Sequence, residues 1–230
     1  MRNNSETNRS KKGYRKFFII LPIVFLICGY ILFFVCLTPI IDPLYSVYSI
    51  AFSNANNKTI ADSGTNSIYN GSTGIHNGII NYSDFEHPKY GYIFGNIKVE
   101  GTEIDCDLIF GDDNALLRKG ACLSLFGHLP GCGRGILVSS HNNTFFHTLP
   151  EVEEGAFVNV DTSYGSYVYK VYKTKVINNV DRFEYAEELN GDKEVLMLYT
   201  CYPADTLAST PYRFFAFCEF VSGPRVNLYE

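Results

Sequence analysis

The sequence predicts an all-β domain: a closed eight-stranded barrel with one or two short helices, preceded by a single N-terminal transmembrane helix. Tyr and Phe number 17 and 18 among 230 residues, and they mix with Val, Ile and Thr in short runs suited to half-buried strands. From Gly91 onward these runs recur between turn formers roughly every ten residues, the rhythm of a barrel or sandwich. Ahead of them, Phe17–Leu37 carries no charge and is long enough to cross a bilayer core as a helix.

Residues 1–16 form a basic stub, with Arg2, Arg9, Lys11, Lys12, Arg15 and Lys16 against the acid Glu6. The positive-inside rule places this stub in the cytoplasm and everything after Leu37 outside. A cleaved signal peptide would have a shorter apolar region followed by a small-residue site. Ser49-Ile50-Ala51 suits that poorly, and Ile27 before Cys28 does not suit lipoprotein processing, so residues 17–37 are expected to be an uncleaved, single-pass signal anchor. Residues 38–90 are rich in Asn, Ser and Gly and read as an extracellular spacer, with a short juxtamembrane helix at Ile40–Phe52. Residues 91–230 are expected to form one folded domain.

Strands are expected at Tyr92–Val99, Asp105–Phe110, Cys122–Leu125, Gly135–Ser139, Ala156–Asp161, Tyr167–Asn178, Glu194–Thr200 and Arg213–Ser222. Eight strands suffice for one small closed barrel. Helices are expected at Asp112–Lys119, behind an acidic cap, and at Asp181–Leu189, where Asp181 and Glu184 have capping-box spacing.

Of seven cysteines, Cys28 and Cys36 fall in the apolar helix. Cys106, Cys122, Cys132, Cys201 and Cys218 remain, an odd number that leaves at least one thiol unpaired. Cys106, Cys122 and Cys218 read as small buried hydrophobes; the role of Cys132, in a Gly-rich turn, and any disulfide pairing stay open. Without the basic stub, the balance of 19 basic and 24 acidic residues tilts further to acid. That argues against nucleic acid as a partner and against an anionic lipid surface, leaving the helix as the link to the cytoplasmic membrane.

Cys201 follows Val195-Leu196-Met197-Leu198, apolar at successive positions like a strand buried on both faces, and Pro203 ends that strand just beyond it. The thiol is therefore presented on a rigid element at a rim, where a nucleophile is needed. His141 closes the run Gly135–Ser140 and can exchange protons near neutral pH. Arg213 opens the apolar run Phe214–Cys218, where a permanent charge suits a partner anion or an oxyanion. His76 and His87 lie in the spacer and are expected to be solvated; His128 and His147 close no apolar run. A zinc site from His128, Cys132, His141 and His147 matches neither zinc-ribbon nor HExxH spacing.

Gly95–Val99, the segment Gly111–Gly120, the turn Leu129-Pro130-Gly131, His141-Asn142-Asn143-Thr144-Phe145-Phe146, and Leu198–Pro203 with Arg213 together resemble the sortases. These are cysteine transpeptidases of Gram-positive cell surfaces with a closed β-barrel fold. The last two segments are similar to the family's H-R-D-T-F-F stretch and its TLxTCYP…R signature. Among sortases the resemblance is to class D, since the longer helix usual before the cysteine strand in class B and the lid and second membrane helix usual in class C are missing. Asn142 and Asn143 stand where Arg-Asp is usual, and Ser140 where Gly is usual. A papain-like peptidase has its cysteine before its histidine, a caspase-like one needs Q-A-C-x-G, and an L,D-transpeptidase has Ser-His-Gly close to the cysteine; none of these fits.

The resemblance implies that Cys201 attacks the Thr–Gly carbonyl of an LPXTG-like sorting signal, Arg213 steadies the oxyanion and His141 protonates the leaving amine. An acyl-thioester remains, and an amine from a peptidoglycan precursor or a pilin resolves it. No metal or organic cofactor is implied. The alternatives are a tethered barrel that binds without catalysis, and a cysteine peptidase that hydrolyses the same bond.

Overall fold

The computed structural model describes residues 20–37, 66–71, 76–181, 183–204 and 210–229. The helix expected at Ile40–Phe52 lies outside them. The chain falls into two units, Met1–Tyr48 and Ser49–Glu230. The first contains α1 (Ile20–Leu37), long and apolar enough to cross a membrane. Its large apolar side chains point outward on all sides, as in a helix that meets hydrocarbon rather than a protein core.

The second unit contains β1 (Ile79–Asn81), β2 (Ile93–Val99), β3 (Asp105–Phe110), β4 (Ala121–Leu123), β5 (Ile136–Ser139), β6 (Phe157–Thr162), β7 (Ser166–Asn178), α2 (Phe183–Asn190), β8 (Val195–Tyr202), β9 (Tyr212–Ser222) and β10 (Arg225–Asn227). The eight expected runs are the eight strands of a closed barrel, ordered β2-β3-β4-β5-β8-β9-β7-β6. Pairs β3–β4 and β5–β8 are parallel and the remaining pairs antiparallel.

Alternation along each strand divides the side chains between two faces. Ile97, Leu108, Leu123, Val138, Val160, Tyr169, Leu198 and Ala216, one from each barrel strand, join a single buried cluster, the barrel interior. Residues of the opposite parity on β5, β8 and β9 face outward: Leu137, Met197, Phe215 and Phe217 form a second cluster with Ile177, covered by Tyr185 and Leu189 of α2. Helix α2 seats against β5 because Gly135 has no side chain; a Cβ there would lie 2.5 Å from Leu189 Cα and O. Ion pairs from Lys173 to Glu188 and Lys175 to Glu184 tie the helix to β7.

The expected helix at Asp112–Lys119 is a succession of turns. Asp113, rather than Asp112, caps it: its Oδ1 accepts from the amides of Ala115 and Leu116 at 2.8 and 2.9 Å, while Asp112 accepts from Ser124 Oγ at 2.6 Å. The segment lies between Gly111, at φ +119°, and Gly120, whose Cβ would meet Asp107 O at 2.5 Å. So short a span between two backbone-constrained glycines leaves no length for regular helix to propagate. The other helix begins at Phe183 rather than Asp181.

Ordered structure also precedes Gly91, within the stretch read as spacer. Ser67 bridges to Ile93, Ile68 packs on the core, and β1 pairs in parallel with β10. Strands of three residues carry too little alternation to be recognised from sequence. His87, expected in solvent, instead stacks on Phe85 at 5.0 Å and meets Tyr82 edge-on at 3.9 Å.

Glu194, just ahead of β8, is a buried acidic side chain. Its carboxylate accepts from Gly131 N, Gly133 N, Tyr169 Oη and Arg225 Nη1 at 3.0, 2.8, 2.7 and 2.8 Å. These bonds join the turn before β5, the interior of β7 and the strand β10 to the root of β8. Glu194→Ala strands a buried phenol and two amides, so unfolding in urea should show a loss on the order of 3 kcal/mol or more.

Candidate active site

The end of β8 lies between β5 and β9. Cys201 is the direct cross-strand partner of Arg213, and directly opposed residues of an antiparallel pair project from the same face with Cβ atoms about 5 Å apart. On the other side, β5 runs parallel to β8 with Ser139 beside Tyr199. Continuing that register by two residues sets His141 beside Cys201, and the strands are still joined there, since Thr200 Oγ1 donates to Ser140 O at 2.9 Å.

Three successive rows on the outward face therefore read Leu137, Met197, Phe217; then Ser139, Tyr199, Phe215; then His141, Cys201, Arg213. The first two belong to the apolar stripe capped by α2, with the Tyr185 and Tyr199 rings each stacked on Phe215 at 5.1 Å. The third is polar, and each of its members is partly exposed. All three residues singled out from sequence meet in that row.

Arg213 is anchored by its own backbone surroundings, since Nη1 donates to Thr210 O at 2.6 Å and to Tyr212 O at 2.8 Å. Both bonds use one nitrogen of a five-donor fork, so the guanidinium is oriented without exhausting its capacity. His141 titrates below the usual imidazole value, first because burial disfavours the cation and second because the positive charge of Arg118 opposes it. Arg118 comes close through Ser140, whose hydroxyl donates to Gly120 O at 3.0 Å and to Leu117 O at 3.5 Å.

The remaining histidines and thiols of the domain lie elsewhere. His128 Nδ1 contacts Gly135 O at 3.3 Å, and His147 contacts Thr144 O at 2.9 Å and Glu103 at 3.5 Å. Cys106, Cys122 and Cys218 are buried and Cys132 is half-buried, all as free thiols. Burial pushes Cys106 up to about 12, Cys132 up to about 11, and Cys122 and Cys218 upward as well, which leaves little thiolate on any of them at neutral pH.

Two residues at the site were not singled out from sequence. Arg118 is one basic residue in a polar turn, and only the tertiary fold sets it beside His141. Asn142 is a buried amide whose Nδ2 donates to Pro203 O and Ala204 O at 2.9 and 2.8 Å. Its one trace in the sequence is that it stands where the sortase pattern has Arg.

The family model for the sortase domain matches residues 97–221, a span that takes in all three residues of the polar row. Sortase D of Bacillus subtilis (strain 168) is 28% identical over 135 residues, which are 59% of this chain and 67% of that protein. Among solved structures, the catalytic domain of B. anthracis SrtD superposes with a TM-score of 0.51 at 21% identity, covering 61% of this chain and 95% of that one. The SrtA sortase of Actinomyces oris gives 0.53 at 18% identity, covering 60% and 84%. The sortase D relative accords with the class D resemblance of the sequence. With its family domain spanning more than half of its length and its eight strands closed in the sortase manner, this chain belongs to the sortase family of cysteine transpeptidases.

Proposed function

We propose that this sortase is held by α1 in the cytoplasmic membrane with its barrel outside the cell, and that it cuts an LPXTG-like sorting signal between Thr and Gly through a thioester on Cys201. The observation that carries this is the direct pairing of Cys201 with Arg213 at the end of β8, with His141 two residues beyond the end of β5, where the β5–β8 register continued by two residues meets Cys201. The Cys201 thiolate adds to the Thr carbonyl carbon, and the oxyanion so formed is met by the Arg213 guanidinium. Collapse breaks the C–N bond, and the Gly nitrogen leaves with a proton from the His141 imidazolium, producing the thioester and a neutral imidazole. An amine of a peptidoglycan precursor or a pilin then adds to the thioester and gives its proton to His141. The Thr carbonyl passes to the new amide, and the thiolate is released. Dividing one amide exchange into two acyl transfers lowers each barrier. Enzyme and substrate both tethered to one membrane face meet at raised effective concentration.

The test is incubation of the full chain in detergent with a panel of LPXTG-type peptides and amine acceptors, read by mass spectrometry. A transferred product with the peptide broken after Thr, and a Cys201-linked acyl adduct when acceptor is withheld, are the expected results. Cleavage elsewhere, or product without a Cys201 adduct, would refute the mechanism.

The depressed titration of His141 has a consequence for pH. The productive state needs thiolate and imidazolium together, so the acid limb of kcat/KM lies where His141 titrates, at lower pH than an ordinary imidazole would place it. Removing the Arg118 charge raises His141, so Arg118→Gln should shift that limb toward higher pH.

A further inference from the structure

Resting on the transpeptidase function above, we infer that Asn142 is a positioning residue of the reaction, holding the chain just after the nucleophile against the chain just after the imidazole. His141 and Cys201 are each flanked by a link between the two strands. On the preceding side, Thr200 Oγ1 donates to Ser140 O at 2.9 Å. On the following side, the Asn142 amide gives hydrogens to Pro203 O at 2.9 Å and Ala204 O at 2.8 Å. Strand β8 ends at Tyr202, so these two carbonyls lie past its ladder, and the side chain of Asn142 serves them in place of a strand.

The amide is suited to this in three ways. It is 6% exposed, so water does not compete well for the carbonyls. It has two N–H groups and meets two successive carbonyl oxygens, which no hydroxyl or carboxylate could satisfy. Its own backbone is held by the turn behind His141, where Phe146 N donates to His141 O at 3.2 Å and the Phe146 ring is fully buried in the barrel interior. A rigid plug in the core thus supports the turn, the turn carries the amide, and the amide fixes the exit of the nucleophile strand. The two links bracket the reacting pair. Without the second, β8 can splay from β5 at the one level where sulfur and imidazole must stay in reach, and misplacement of about 1 Å can cost on the order of a hundredfold in rate.

Three variants of the full chain test this. Asn142→Asp keeps the shape but opposes acceptors to two carbonyls, Asn142→Ala removes both donors, and Asn142→Gln restores them on a longer arm. Two measurements separate positioning from mere stability. In transfer, Asp and Ala variants should lose roughly 30- to 100-fold in kcat with KM within about threefold, and Gln should recover part of the loss. In alkylation of Cys201 by iodoacetamide, which needs no peptide, the pH profile of the Asp and Ala variants should approach that of a His141→Ala chain. Should the Asp variant misfold, the Ala variant decides. A lowered Tm with wild-type kcat at a temperature well below it, and with an unchanged alkylation profile, would overturn the inference. If the wild-type chain transferred no peptide at all, the proposed substrate would fall, while the alkylation profiles would still decide the role of Asn142.

Discussion

Cys201→Ala is expected to leave no measurable transfer at any peptide or amine concentration, with the melting temperature within a few degrees of wild type. The side chain sits at the partly exposed end of β8, outside the two buried clusters, so truncating it opens little cavity and should change stability by less than the 2–5 kcal/mol of a buried large-to-small replacement. Chemically there is no substitute. The other thiols of the domain are raised by burial, and none lies on the polar row formed with His141 and Arg213. Cys201→Ser is the sharper comparison: it preserves size and hydrogen bonding but replaces the sulfur with a hydroxyl that is far less ionised near neutral pH, and it should be equally inactive. Intact mass after incubation with peptide and no acceptor should show the acyl adduct on the wild-type chain alone. Turnover by the Ala variant at the wild-type rate would remove Cys201 from the mechanism.

Arg213→Ala should lower kcat/KM by at least two to three orders of magnitude, with most of the loss in kcat. In the proposed mechanism the guanidinium directly across from Cys201 meets charge that develops only after attack, and losing one donor of that kind costs about 100- to 1000-fold. Its orientation comes from the Thr210 and Tyr212 carbonyls, which hold the fork before substrate arrives. Arg213→Lys should recover little, because one ammonium cannot occupy the two backbone carbonyls and an oxyanion in the same planar geometry. If the loss fell entirely in KM, Arg213 would be acting on substrate binding and the oxyanion role would be wrong.

The barrel strands and the residues at their ends were legible because each depends on neighbours in the chain. Val195–Leu198 is continuously apolar and turned out to be buried on both faces; the runs Gly135–Ser140 and Phe214–Cys218, which end at His141 and begin after Arg213, belong to the two strands that flank β8. The errors fall where the determining contact is distant. Asp112 and Asp113 are equally plausible caps by composition, and the choice was made by Ser124 reaching back to Asp112. Strands β1 and β10 exist only through each other, across nearly the whole domain. His87 follows a polar stretch, yet packs among Tyr82 and Phe85.

From the sequence alone came the apolar N-terminal helix, the count and placement of the eight barrel strands, and the thiol, imidazole and guanidinium at run ends. The helix and the strands follow from charge, alternation and turn chemistry within a few residues, while the choice of Cys201, His141 and Arg213 also drew on the resemblance to sortases. The tertiary structure decided the order in which the barrel closes, and with it the seating of β8 between β5 and β9, which pairs Cys201 with Arg213 and leads the β5 register toward His141. It also decided the Arg118 charge beside the imidazole, the buried Glu194 at the root of β8 and the Asn142 amide beyond its tip. These depend on hydrogen bonds and charges between residues far apart in the chain, where a donor and its acceptor have no local pattern in common and meet only when the sheet closes.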